Sequence, residues 1–208
     1  MLKEPVALHV KTAVKIAIVT GRSDPSSCSL SLEQLDVLKS LDAPDEFKVY
    51  CNFPFVRAHR VERVPNIVRA SISNGAQFLE SHTATYARRA KPHWQSLLDS
   101  CDHLFLVTGS CGIQLVEAGI AGAEPKCNVE VLAIGPVGWQ RSQLRVTTVQ
   151  GDKDFISRRF YKKVDRVVPG VSHLDYWYNP IVKELIHQWL SIKISRLLEQ
   201  EDTCRSSA

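Results

Sequence analysis

The chain has 208 residues, enough for one domain with a sizeable core. Hydrophobic residues at 44% and charged residues at 23% exclude a disordered or fibrous chain. The net charge of +4 is too mild to imply nucleic acid, and none is expected as a partner.

Cys28, Cys51, Cys101, Cys111, Cys127 and Cys204 form no CxxC pair, and no histidine stands at metal-finger spacing from them. Neither a metal site, a redox motif nor a cofactor is expected. The start, MLKEPVALHVKTAVKIAIVTG, lacks the basic end, unbroken apolar core and small-residue cleavage site of a leader. No apolar run reaches membrane-spanning length, so the expected setting is cytoplasmic and reducing, with no membrane span.

Residues 14–20, VKIAIVT, are mostly β-branched and end at Gly21, the pattern of a buried strand. SLEQLDVLKSLD spaces its leucines helically, with Ser31 and Glu33 near its start. FKVYCNFPFV (47–56) reads as a second strand closed by Asn52 and Pro54. From about 64 to 100 the pattern is helical and more polar, predicting two helices with a break near Pro92. DHLFLVTG is a third strand, followed by a helix over 111–120. NVEVLAIGPVG (128–138), QLRVTTVQGD (143–152) and DRVVPGVSH (165–173) are the fourth to sixth, with a short basic helix at 155–163 before the last. Asn179 and Pro180 sit where an N-cap and first helical residue belong. They open a long amphipathic helix to about Gln200, with Ile181, Leu185, Ile186, Trp189 and Leu190 expected on its inner face and the tail EDTCRSSA frayed.

Apolar strands alternating with helices argue for a parallel sheet covered on both faces. No internal repeat or long linker divides the chain. The expectation is one α/β domain over 1–208, a doubly wound, mostly parallel six-stranded sheet, with residues 1–12 and 201–208 peripheral.

In an open parallel sheet, ligands gather beyond the carboxyl ends of the strands. Standing there are Thr20-Gly21-Arg22, Asn52-Phe53-Pro54, Gly109-Ser110-Cys111, Gly135-Pro136, Gly151-Asp152-Lys153-Asp154 and Ser172-His173. One edge thus carries a hydroxyl and a thiol, two carboxylates and an imidazole, in the chain order Ser110 or Cys111, then Asp, then His173.

At this point the sequence resembles the α/β-hydrolase superfamily, whose order is nucleophile, acid, histidine, with the nucleophile on a sharp strand-to-helix turn. TGSCG (108–112) resembles its elbow, VQGDKDFIS its acid-bearing strand end, and VPGVSHLDYWYNPIVKELIHQWL its histidine loop and last helix. The resemblance covers residues 14 to 198, omits the family's first two strands and leaves almost no room for a lid. It implies a small, lidless serine hydrolase acting on a carboxylic ester or thioester.

The elbow needs small residues two positions either side of the nucleophile. For Ser110 these are Thr108 and Gly112; for Cys111 they are Gly109 and Ile113, and an isoleucine would crowd the helix start. Ser110 is favoured, although Thr108 departs from the usual glycine and TGSCG alone would equally suit a tight turn with an N-capping serine. Asp154, fourth in the G-x-x-D strand end, is preferred over Asp152, and Asp175 is either a surface charge or a backbone brace. The resemblance implies that Ser110 attacks, His173 takes its proton and Asp154 orients the imidazole. It also implies two oxyanion donors: the Cys111 backbone N–H and, from the loop after the first strand, the Arg22 N–H.

The substrate is less defined. Phe53, Phe55, Trp139 and Trp177 are candidates for an apolar acyl rim or, taken singly, for the core. Arg57-His59-Arg60-Arg63, Arg88-Arg89-Lys91 and Arg158-Arg159-Lys162-Lys163 are either solvated faces or receivers of an acidic carrier such as coenzyme A or an acyl-carrier protein. Two rivals stand beside the hydrolase. One is a catalytically inactive hydrolase-fold binding protein. The other is a nucleotide-binding oxidoreductase, because KIAIVTGRSDPSS resembles the first strand of short-chain dehydrogenases. That segment lacks the pyrophosphate-binding glycines, and Tyr161 is not followed by a lysine four residues on.

Overall fold

The computed structural model describes residues 10–22, 29–54, 67–124, 126–139 and 144–206. Six strands, β1 (Thr12–Thr20), β2 (Lys48–Asn52), β3 (Cys101–Gly109), β4 (Asn128–Ile134), β5 (Arg145–Gly151) and β6 (Arg166–Val168), form one sheet in the order β2-β1-β3-β4-β5-β6. All five pairings are parallel. This places β3 beside β1, unlike the 3-2-1-4-5-6 order of dinucleotide-binding sheets.

Strand periodicity explains why both faces are apolar. In β1, Val14, Ile16 and Ile18 enter one core cluster while Ala17 and Val19 enter the other. The first cluster joins Phe105, Val107, Leu132 and Ile134 to α1 (Leu32–Lys39) and α6 (Pro180–Ser206). The second joins Leu104, Leu106, Val131 and Ala133 to α3 (Ala84–Leu98) and α4 (Gly112–Ile120). Each fully buried Leu or Ile contributes about 1.5–3 kcal/mol of transfer free energy, so helices on both sides are needed to cover strands apolar throughout.

Local chemistry sets the helix boundaries. Ser31 and Gln34 form a capping box at α1, so the box partner is Gln34 rather than the neighbouring Glu33. Asn179 caps α6 by accepting from the amides of Ile181 and Val182. The inward stripe of α6 is Val182, Ile186, Leu190 and Ile194, with Leu185 and Trp189 flanking it. Ile181 is instead exposed, one position round from the buried stripe, and the helix continues into the tail expected to fray.

Two further sequence expectations are corrected. The break in the 64–100 segment falls between α2 (Ile67–Ser81) and α3, where Thr83 caps Tyr86 N, and Pro92 lies inside α3. The carbonyl that Pro92 leaves without a helical donor belongs to Arg88, on the exposed side, where water can satisfy it. Several strands are also shorter than their apolar runs. β4 stops at Ile134 because Gly135 takes φ +54° and turns the chain away, and β6 keeps only three residues of 165–173.

Register brings the strand ends into line. Thr20 pairs with Gly109, Gly109 with Ile134, and Ile134 with Val149. The segments leaving β1, β3, β4 and β5 therefore emerge side by side.

Candidate active site

Beyond Gly109, Ser110 adopts φ +53°, the one non-glycine residue with positive φ among the described residues. A left-handed serine costs on the order of 1–3 kcal/mol and persists only where its surroundings enforce it. Here they do. Its amide donates to the Ile134 carbonyl (3.2 Å), and its carbonyl accepts from Val137 N (3.1 Å). α4 starts two residues later, and a Cβ on Gly112 would stand 1.9 Å from the Val19 carbonyl oxygen. Glycine at 112 is thus what lets the helix begin against β1. Ser110 is half-buried, whereas Cys111 is 3% exposed and burial pushes its thiol pKa up to about 11. Of the two adjacent candidates, only the serine combines access with a proton acceptor.

That acceptor is His173. Ser110 Oγ lies 2.9 Å from His173 Nε2, and His173 Nδ1 lies 2.8 Å from Asp154 Oδ2. With the Asp154 carboxylate charged, Nδ1 carries the proton and donates it, leaving the Nε2 lone pair for the serine hydroxyl. Asp154 is fully buried and has all its acceptor directions occupied. Oδ1 accepts from the amides of Ile156 (3.1 Å) and Ser157 (2.8 Å), and Oδ2 also accepts from Tyr176 Oη (2.7 Å). Burial alone would raise its pKa; the donors His173, Tyr176 and Ser157 N outweigh burial and hold it below the ordinary carboxylate value. Tyr176 Oη in turn accepts from Gly151 N (2.8 Å), so the end of β5 orients the hydroxyl that braces the acid.

The neighbouring carboxylates have other partners. Asp152 is exposed and accepts from Gly170 N at 2.7 Å. Asp175 braces its loop through Ser172 N (3.0 Å) and Ser172 Oγ. Tyr176 is not among the residues the sequence singles out, and its one signal there is the three-residue spacing from His173. Backbone bonds from Asp175 N to Ser172 O and from Tyr178 N to Asp175 O make 172–178 turn-like, and the Tyr176 and His173 rings lie 6.4 Å apart.

Of the two expected oxyanion donors, Cys111 is the N-cap residue of α4, where backbone amides and the helix dipole favour negative charge. The Arg22 amide already has an acceptor, donating to Gln77 Oε1 of α2 at 2.6 Å. Gln77 is buried, and among the described residues its Nε2 finds no partner, so its carbonyl alone is bonded, to that amide. Gly21 lies directly beneath Asn74 of α2 and the Cys111 sulfur, so α2 packs onto the loop that carries Arg22. Nothing in the sequence of α2 signals this.

The aromatic candidates divide. Phe53 is in the core, edge-on to Trp94 at 4.8 Å. Trp177 is half-buried with its ring against Gly109, and Trp139 is 64% exposed. Phe55 and the cluster Arg57-His59-Arg60-Arg63 lie outside the described residues. Arg88, Arg89 and Lys91 on α3, and Arg158, Arg159, Lys162 and Lys163 around α5 (Ser157–Phe160), are exposed. Thr108, the residue least suited to an elbow, is 1% exposed, and its hydroxyl has no partner among the described residues. Among the described residues no group of three or more His, Cys, Asp or Glu could hold a metal ion, and no helix is long and apolar enough to cross a membrane.

An all-parallel sheet in this order, with the strained serine turn after β3, is the architecture of an α/β-hydrolase-like fold. Comparison with one solved structure agrees. The chain superposes on a protein of unknown function from Agrobacterium tumefaciens, provisionally described as an alpha/beta hydrolase, with a TM-score of 0.51 and 14% identity, covering 94% of this chain and 90% of that one. An uncharacterized protein from Bacillus cereus matches at a TM-score of 0.44 and 14% identity, over 92% of this chain and 63% of that one. No family model and no curated protein matches the sequence. The fold is hydrolase-like, and similarity at this level speaks to the fold alone.

Proposed function

We propose that the chain is a serine hydrolase that cleaves a carboxylic ester or thioester through an acyl-enzyme intermediate. The observation that carries this is the continuous hydrogen-bond chain from a strained, accessible serine through His173 to a buried, fully bonded Asp154. A serine hydroxyl is a poor nucleophile near neutral pH. As Ser110 Oγ attacks the acyl carbon, its proton passes to His173 Nε2, and the Asp154 carboxylate stabilises the imidazolium so formed. The imidazolium returns that proton to the departing alcohol or thiol as the tetrahedral intermediate collapses. Water then attacks the acyl-serine, with His173 again the base, and releases the acid and free Ser110. Reduced to one line, Asp154 orients, His173 shuttles and Ser110 carries the acyl group.

The Cys111 N–H is one donor to the oxyanion. For the second, the substrate carbonyl replaces Gln77 Oε1 as the acceptor of the Arg22 amide. The buried Cys111 thiol takes no part. The exposed cations on α3 and α5 favour an acyl group delivered on coenzyme A or an acyl-carrier protein, and such delivery weakens with added salt. The test is a panel of acyl esters and acyl thioesters at low and moderate ionic strength, run on the full chain and on Ser110→Ala. Turnover by the wild type that Ser110→Ala lowers to background supports the reading. Turnover that persists in Ser110→Ala refutes it.

A further inference from the structure

The rings of Phe78, His82, Trp139 and Phe160 meet although they come from three separate segments. Phe78 stands 4.9 Å from Trp139, 5.0 Å from His82 and 5.9 Å from Phe160, and His82 stacks on Trp139 at 4.9 Å. Aromatic clusters gain most when they close on themselves, yet Trp139 is 64% exposed. Leu79, Phe155 and Ile156, from the same segments, are 63%, 74% and 50% exposed. A ring cluster left open to solvent, with further exposed apolar side chains on the same segments, marks a place where something else binds.

Each segment is fastened to the candidate active site within three residues of its ring. Phe78 follows Gln77, which holds the Arg22 amide. The Trp139 amide donates to Gln114 Oε1 in the first turn of α4 (3.2 Å), and two residues earlier Val137 N donates to the Ser110 carbonyl. Phe160 ends the short helix α5, whose Ser157 binds Asp154 through its amide and the Pro136 carbonyl through its hydroxyl. The cluster is thus built on the supports of the serine, the acid and the expected oxyanion donor.

Resting on the serine-hydrolase reading, we infer that Phe78, His82, Trp139 and Phe160 form the acyl-binding platform, taking an apolar acyl chain. The side decides acyl over leaving group. Trp177, four residues from His173, packs on the α1/α6 cluster. The Trp139 segment instead leans on Ile113 and Gln114 of α4, since a Cβ on Gly138 would stand 3.5 Å from Ile113 Cγ2. The leaving group receives its proton from His173 Nε2 and so departs on the His173 side. The acyl group, left on Ser110, extends the other way, over the rings.

A buried methylene is worth about a fourfold change in kcat/KM, and one lying on an open platform about half of that on the logarithmic scale. p-Nitrophenyl esters from acetyl to octanoyl hold the leaving group constant, and alkyl acetates hold the acyl group constant. The expected result is a kcat/KM that rises at least about tenfold from acetyl to octanoyl. In Trp139→Ala the octanoyl-to-acetyl ratio falls by about tenfold, while preference among the alkyl acetates stays as in the wild type. An unchanged ratio in Trp139→Ala, or a loss confined to the alkyl acetates, overturns the platform. A second measurement keeps the two readings apart: octanoate covers the exposed indole of Trp139 and moves the tryptophan emission of Ser110→Ala to shorter wavelength, and Trp139→Phe in that background removes the shift. Absence of the shift overturns the platform whether or not esters are cleaved. A shift alongside a wild type that cleaves no ester overturns the hydrolase reading alone.

Discussion

Replacing Tyr176 by phenylalanine removes a single oxygen, but that oxygen has two jobs. It donates to the charged Asp154 Oδ2 at 2.7 Å and accepts from Gly151 N at 2.8 Å, and Tyr176 is 3% exposed, so water does not easily take its place. A hydrogen bond to a charged group contributes about 1.5–3 kcal/mol, and stranding a buried amide costs about 1–3 kcal/mol. The two share one atom and do not add fully. The expected loss is about 2–4 kcal/mol at neutral pH, or roughly 5–15 °C in Tm for a chain this size. The loss depends on pH in a fixed direction. The folded protein holds Asp154 below its ordinary pKa. Its contribution is therefore complete above the unfolded value of about 4 and is lost as pH falls through the lower native value. Tyr176 favours the charged form, so the deficit of the variant is largest near pH 7 and shrinks below about pH 4. Urea denaturation of both proteins across that range measures it. A deficit under about 0.5 kcal/mol at pH 7, or one that grows in acid, refutes the argument.

Ser110→Gly relieves the left-handed strain and Ser110→Ala does not, so the glycine variant is expected to be about 1 kcal/mol more stable in denaturant titrations, with both inactive. Gly112→Ala drives a methyl into the Val19 carbonyl at 1.9 Å; the expected cost is about 3 kcal/mol or more, seen as a lowered Tm. Gln77→Leu frees the Arg22 amide, and KM for a good ester is expected to fall several-fold; a kcat drop with KM unchanged would instead make the Gln77 side chain the oxyanion donor.

What the sequence discloses is what depends on local pattern. β1 and β3 stand out because strands buried on both faces must be apolar at every position, and Ser31 and Asn179 signal their helices because capping is local. The order Ser110, Asp154, His173 is legible for the same reason: each follows a readable strand, and parallel strands deliver their ends to one edge. Features set by tertiary contact are not legible. Pro92 is tolerated because the carbonyl it strands faces water, and Ile181 and Val182 exchange places because the phase of a helix against its sheet is fixed by packing. Gln77 reaches Arg22 across 55 residues, and no spacing rule anticipates that contact. Tyr176 is an intermediate case. Its separation of three residues from His173 is visible, but Gly151 N, which orients it, comes from another strand.

The central claim is that Ser110, and not Cys111, is the activated nucleophile. Treating the folded protein with a fluorophosphonate and locating the adduct by peptide mass spectrometry tests it in one step. The account predicts a single phosphonylated site at Ser110, no adduct in Ser110→Ala, and full labelling in Cys111→Ala. An adduct that survives Ser110→Ala, or a wild type that stays unlabelled, would contradict it.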